Sequence, residues 1–140
     1  MLDLILCIDD DPITLMLCKK VISKTLFSNE IITAQNGEKA LQYFDATKKS
    51  KTDSVPHRLP KLIFLDLNMP VMGGWEFLES FSGPNYSEFN TIKVVILTST
   101  LDPEDLEKAN KYPMVIDFLS KPITKSMLDN LTNKMQHKGI

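Results

Sequence analysis

The sequence predicts an α/β protein, a doubly wound parallel sheet of five strands with five helices, and three observations carry that prediction. Short apolar or β-branched runs at 4–8, 30–34, 62–65, 93–97 and 115–119 alternate with segments whose apolar residues recur every third or fourth position. That alternation is the pattern of βαβ units, in which each crossover returns the chain to a parallel neighbour. Several runs, Leu62-Ile63-Phe64-Leu65 above all, are apolar at every position, as strands buried on both faces require. Four of the five runs stop abruptly at chemically useful residues: Asp9-Asp10, Asp66, Thr98 and, just past the fifth, Lys121. In a parallel sheet all those ends share one edge, where α/β proteins place their ligand crevice.

Taken in order, Leu4-Ile5-Leu6-Cys7-Ile8 runs into Asp9-Asp10-Asp11, and Asp11-Pro12 reads as a helix cap with proline at the first helical position. Ile13, Met16, Leu17, Val21 and Ile22 give the first helix its apolar spacing, to about Ser23. A β-branched strand over 30–34 follows, and Asn36-Gly37 turns the chain into a second helix carrying Ala40, Leu41 and Phe44. Residues 47–60 are polar and read as a long loop, whose Lys48, Lys49, Lys51 and Arg58, with Lys61, are solvated or dock an acidic partner. Beyond Asp66, Pro70 and Gly73-Gly74 form a turn, and Trp75, Leu78 and Phe81 begin the third helix, with Trp75 either packed or exposed.

Residues 82–90, around Gly83-Pro84, read as a second loop before the fourth strand. Asp102-Pro103-Glu104-Asp105 is a cap, a proline and two acids suited to the positive end of a helix. That fourth helix, to about Lys111, has only Leu106 and Ala109 to bury and is therefore loosely held. After the fifth strand, Thr124 caps a last helix with Met127, Leu128, Leu131 and Met135 on one face.

A chain of 140 residues suits one domain, with no room for an added effector domain. Composition is that of a soluble globular protein, 43% hydrophobic and 24% charged, and no apolar run approaches the length of a membrane span. The amino terminus lacks the basic region of a signal peptide, so the expected location is the cytoplasm. Net charge is −2 and Arg58 is the only arginine, which argues against direct nucleic-acid binding. His57 and His137 lie far apart, and Cys7 and Cys18 match no metal or redox spacing, so both cysteines read as small buried hydrophobes.

The chemistry therefore falls to carboxylates, hydroxyls and lysine. Asp9-Asp10-Asp11 alone reads equally as a solvated turn and cap. Brought beside Asp66, these carboxylates would repel and raise one another's pKa unless a hard divalent cation neutralised them. Mg²⁺ suits such a site because it takes a few protein oxygens and keeps waters and phosphate oxygens for the rest of its octahedron. A carboxylate beside Mg²⁺, a lysine and a hydroxyl is equipped to receive a phosphoryl group.

Over nearly its whole length the chain resembles the CheY-like receiver domains of two-component response regulators. The residues that carry the resemblance are Asp9-Asp10, the stretch Asp66-Leu67-Asn68-Met69-Pro70-Val71-Met72-Gly73-Gly74, Thr98, and Lys121-Pro122. The resemblance implies a flavodoxin-like fold with strand order 2-1-3-4-5 and Asp66 as phosphoacceptor for a sensor histidine kinase or histidine phosphotransfer protein. It implies Mg²⁺ held by Asp10, Asp66 and the backbone carbonyl of Asn68, with Asp9 acting through water. Thr98 would bond one phosphoryl oxygen and Lys121 another, and Phe118 would be the switch aromatic that moves with Thr98.

Asn68 and Thr100 occupy positions that influence hydrolysis in the family. The resemblance implies one of two outputs: a conformational switch read by a downstream target at the face of helix four, strand five and helix five, or onward transfer of the phosphoryl group as an intermediate in a phosphorelay. Ser99, where the family most often has alanine, and the loops 47–60 and 82–90 are departures from the pattern. The resemblance describes a signalling domain rather than an enzyme. Two other classes remain open: a Mg²⁺-dependent aspartyl-phosphate phosphatase using Asp9-Asp10-Asp11 as its Asp-x-Asp, and a phosphorylation-independent scaffold.

Overall fold

Runs that are apolar on both sides must lie between two covering layers, and in the computed structural model, which describes residues 1–49 and 58–137, they form the middle of three. The strands are β1 (Leu2–Ile8), β2 (Ser28–Ala34), β3 (Leu62–Leu65), β4 (Lys93–Thr98) and β5 (Val115–Ser120). The helices are α1 (Pro12–Lys24), α2 (Gly37–Lys49), α3 (Gly74–Phe81), α4 (Pro103–Ala109) and α5 (Lys125–His137), with a short 3-10 helix over Pro84–Phe89. All strand pairings are parallel and the order is β2-β1-β3-β4-β5, as expected. The register sets Ile8 beside Leu65, so β1 and β3 end level and the residues that follow them, Asp9 and Asp66, emerge together.

Alternate strand residues feed opposite layers. Ile5, Cys7, Phe64 and Val95 pack against Cys18 and Ile22 of α1 and Leu131 of α5. Leu6, Ile63, Leu65 and Val94 pack against α2 and α3. Phe44 of α2 anchors that second layer, with ring centroids 4.7 Å from Phe81 and 5.0 Å from Phe89. Burying one such ring contributes about 1.5–3 kcal/mol. Among the described residues no helix is long and apolar enough to cross a membrane.

The caps form as read. Asp11 accepts from the Ile13 amide at 3.0 Å, Asp102 from the Glu104 amide at 2.9 Å, and Thr124 from the Met127 amide at 3.2 Å. Cys7 and Cys18 are buried free thiols. Burial is the first cause of the Cys18 pKa rising to about 11, with the charge of Asp9 adding to it.

Several expectations need correction. Ile13, Met16 and Leu17 do not face the core: they are 63%, 56% and 43% exposed, while Cys18 and Ile22 form the buried stripe of α1. Apolar residues occupy most of that helix's circumference, so spacing alone fits two faces. Within 82–90, read as a loop, Pro84–Phe89 form a 3-10 helix whose last residue, Phe89, is buried against Phe44. The second helix runs on to Lys49, with Thr47 buried, so the polar segment starts later than expected.

In α4 Leu106 is 40% exposed and Ala109 is the buried residue, which leaves the helix held even more lightly than its sequence suggested. Arg58 is not simply solvated: its guanidinium reaches Asp3 and Glu30, each at 2.8 Å, and ties the chain to the amino-terminal ends of β1 and β2. Lys48 donates to the Asn85 carbonyl and lies over the Tyr86 ring. The readings of Lys51 and His57 fall outside the described residues, and so does the environment of the His137 side chain.

Candidate functional site

Parallel strands deliver their carboxyl ends to one edge, and there the structure gathers Asp9, Asp10 and Asp66. One carboxylate oxygen from each lies within 4.8 Å of the others. Backbone bonds fix the two buried ones: the Asp9 amide donates to the Ala34 carbonyl at 3.0 Å, and the Asp66 amide to the Ile8 carbonyl at 2.9 Å. The sheet ladder therefore continues one residue past the apolar run on both strands, which fixes the backbone at both residues. Asp9 and Asp66 are only 4% and 6% exposed, whereas Asp10 faces solvent.

Lys121 closes the cluster. Its ammonium lies 2.6 Å from Asp9 Oδ2 and 3.4 Å from Asp66 Oδ1. Its amide donates to the Thr98 carbonyl at 2.7 Å, so β4 fixes the residue that follows β5, and the Lys121–Pro122 bond is cis. The charge balance is uneven, three carboxylates against one ammonium.

The titration behaviour follows from that balance. Burial first, then the Asp9 charge, push the Asp66 carboxyl above its ordinary range, and Lys121 only partly offsets them. Burial pulls Lys121 the other way, but its hydrogen bond and charge pairing with Asp9, then the charge of Asp66, leave it above its ordinary range.

Both bonds to the Asp66 carboxylate fall on Oδ1, from the Leu67 amide at 2.9 Å and from Lys121. Oδ2 is left without a partner among the described residues. Asp9 has both oxygens engaged, Oδ1 by the Asp11 amide at 2.9 Å and Oδ2 by Lys121. The donor set, hard oxygens with an excess of negative charge and one exposed member, Asp10, fits an octahedral dication such as Mg²⁺.

The turn after Asp66 depends on Gly74. Its amide donates to the Leu67 carbonyl at 2.9 Å, and a Cβ there would lie 2.5 Å from the Asp66 carbonyl oxygen. Val71 in the same turn has φ of 68°, a left-handed conformation unusual for a β-branched residue.

Thr98 ends β4 almost fully buried, paired in register with Ser120. Phe118, half-buried in β5 opposite Ile96, packs into the α2–α3 layer. Asn68 and Thr100 are exposed just beyond the ends of β3 and β4. Among the described residues no side-chain hydrogen bond or ion pair joins Asn68, Thr100 or Phe118 to the carboxylates.

Two features were not resolved by the sequence. The exposed ridge of Ile13, Met16 and Leu17 starts beside the acidic edge. Trp75, undecided between packed and exposed, reaches α4, its indole N–H donating to Asp105 Oδ1 at 3.2 Å. No local pattern in the sequence signals either one, since both depend on which faces of neighbouring helices meet.

Comparisons agree with this geometry. Residues 5–133 match the profile of the response regulator receiver domain. The two-component response regulator ARR17 of Arabidopsis thaliana is 30% identical over 128 residues, which are 91% of this chain and 80% of that protein. The hybrid signal transduction histidine kinase C of Dictyostelium discoideum is 26% identical over 136 residues, 94% of this chain and 10% of that protein. Among solved structures, a two-component response regulator from Cytophaga hutchinsonii superposes with a TM-score of 0.84 at 33% identity, covering 97% of this chain and 98% of that one. A shared profile over nearly the whole length, the β2-β1-β3-β4-β5 order and the acidic edge agree, and the chain belongs to the response regulator receiver domain family of two-component signalling.

Proposed function

We propose that this receiver domain accepts a phosphoryl group on Asp66 from the phosphohistidine of a sensor histidine kinase or histidine phosphotransfer protein. The observation that carries this reading is the open Oδ2 of a buried carboxylate, held between two further carboxylates and a lysine. Oδ2 attacks phosphorus, the P–N bond breaks, its electron pair returns to the imidazole nitrogen, and an acyl phosphate forms. Lys121 lies within reach of one phosphoryl oxygen, and Thr98 stands at the end of the neighbouring strand to meet another. Asp10, Asp66 and the Asn68 carbonyl would hold Mg²⁺, with Asp9 acting through water. The ion would supply the positive charge that three carboxylates and an incoming phosphoryl group lack.

Partner binding fits the same edge. Ile13, Met16 and Leu17 of α1 stand exposed beside Asp10, an apolar surface on which a donor could seat its phosphohistidine near Asp66. Response to phosphorylation would pass through Thr98 and Phe118 to the α4–β5–α5 face, where a downstream target binds. Asn68 and Thr100, exposed at the rim, would tune the access of water to the acyl phosphate. The domain acts as a switch in the cytoplasm alongside its donors, not as a turnover enzyme. Engagement of both Asp9 oxygens disfavours Asp9 as a phosphatase nucleophile.

The test is intact mass after incubation with Mg²⁺ and acetyl phosphate, for the native chain and for Asp66→Asn. One phosphoryl adduct that needs Mg²⁺ and is absent from the variant is the expected result. Adduct formation on the variant, or transfer requiring Asp9 and not Asp66, would overturn the assignment.

A further inference from the structure

Helix α4 follows β4, the strand that ends in Thr98, and has only Ala109 in the core. What holds it lies to its side. The Trp75 indole of α3 donates to Asp105 Oδ1 at 3.2 Å, and the Lys108 ammonium sits 4.8 Å above the same ring. Tyr112, just past α4, stacks on Trp75 with centroids 6.0 Å apart and planes 25° from parallel. Its hydroxyl donates to Glu79 Oε2 of α3 at 3.0 Å. Two residues of α3 thus grip three residues of α4 and its exit turn by four different interactions. Because α3 follows β3, the grip joins the helix leaving Asp66 to the helix leaving Thr98.

We propose that this contact is a latch: it holds α4 against α3 in the resting chain, and its strength sets how readily the domain leaves that state. The inference rests on the phosphoacceptor reading above, since a phosphoryl group on Asp66 is what would favour the released state. Linkage then fixes the sign. Contacts made only in the resting state oppose any ligand that prefers the other state, so weakening them raises that ligand's affinity. Hydrogen bonds to charged groups are among the stronger ones, and at this partly exposed contact the loss of one corresponds to about fivefold in affinity, or about 1 kcal/mol.

The experiment uses the full chain with Mg²⁺ and beryllofluoride, a mimic of the phosphoryl group on a carboxylate. Trp75→Phe keeps a ring against Tyr112 and removes the N–H, without altering the sequence of α4. Asp105→Ala removes the acceptor, and Glu104→Ala, in the same acidic turn but outside the latch, controls for weakening the helix amino terminus. Amide hydrogen exchange over residues 103–112 is measured together with beryllofluoride affinity.

The expected result is faster exchange in Trp75→Phe and Asp105→Ala, with beryllofluoride bound about fivefold tighter. Glu104→Ala should show no gain in affinity. Unchanged affinity despite faster exchange would reduce the contact to a structural one and overturn the latch, as would weaker binding. If the native chain binds no beryllofluoride, the phosphoacceptor reading is what has failed. Exchange then decides the holding half of the proposal alone: equal protection in all chains overturns it, and loss of protection confined to the two latch variants upholds it.

Discussion

Replacing Lys121 with methionine removes the one positive charge in the acidic cluster while keeping an unbranched apolar stem. The ammonium is within 2.6 Å of Asp9 and 3.4 Å of Asp66, and the side chains of Lys121 and Asp9 are only 19% and 6% exposed. Removing one partner of a fully buried pair costs about 3–5 kcal/mol, and the partial exposure of Lys121 lowers this to about 2–3 kcal/mol. For a domain of this size that corresponds to a fall in Tm of about 6–9 °C. Thermal melts at pH 7 in EDTA measure it directly.

Saturating Mg²⁺ should then rescue the variant more than the native chain, because the ion supplies the charge that was deleted. The alkaline limb adds a sign test. Lys121 has its folded pKa above the ordinary 10.5, so its contribution is complete below pH 10.5 and is lost as pH rises through the folded value. The gap between native and variant should therefore close above pH 10.5. Equal Tm values in EDTA, or a gap that Mg²⁺ leaves unchanged, would refute the charge argument.

Four more substitutions bear on the same edge. Asp66 has its folded pKa above the ordinary 3.8, so between the two values the folded chain binds more protons than the unfolded one and stability falls as pH rises. Asp66→Asn should therefore be more stable than the native chain at pH 7 in EDTA, with the advantage gone below pH 3.8, as read from urea midpoints across pH. Gly74→Ala sets a Cβ 2.5 Å from the Asp66 carbonyl oxygen and 2.9 Å from Leu67 Cα, both backbone atoms that must shift. It should lose about 1–3 kcal/mol in urea unfolding and label poorly with acetyl phosphate. Gly73→Ala, whose nearest contact is 3.0 Å, should lose less. Val71→Asn relieves a β-branched residue at φ 68° and should gain about 1 kcal/mol, because asparagine tolerates that region far better.

The sheet and the site were legible in the sequence for one physical reason. A strand buried on both faces admits no polar residue until it ends, so Asp9, Asp66 and Thr98 announce both where a strand stops and what stands at the rim. Helix faces were legible only where the apolar stripe was narrow. In α5 Leu128, Leu131 and Met135 stand out against polar neighbours and are buried. In α1 apolar residues sit on two stripes, and only the packed structure shows that Cys18 and Ile22 go inward while Ile13 and Met16 stay out. Phe89 was hidden in a segment whose glycine, proline and asparagine read as loop, because a single buried ring can order a short 3-10 helix without any periodicity. The reach of Trp75 to Asp105 spans 30 positions and depends on the packing of two helices, which no local pattern encodes.

The uneven charge at the site and the light anchoring of α4 belong together energetically. Coupling between two sites in a protein is usually about 1–3 kcal/mol. The α2–α3 layer cannot respond to so small a bias, because truncating one of its buried rings, such as Phe44, costs about 3–5 kcal/mol. The contacts of α4 are on the right scale: one hydrogen bond to a carboxylate and one exposed cation over a ring contribute about 1–2 kcal/mol together. Strand order completes the reasoning. β4 lies directly beside β3, so a phosphoryl group on Asp66, as proposed, would stand next to the end of β4 at Thr98, and the first helix beyond Thr98 is α4, with only Ala109 buried. A helix anchored like α2 in that place would leave the chemistry proposed for Asp66 without a mechanical outlet.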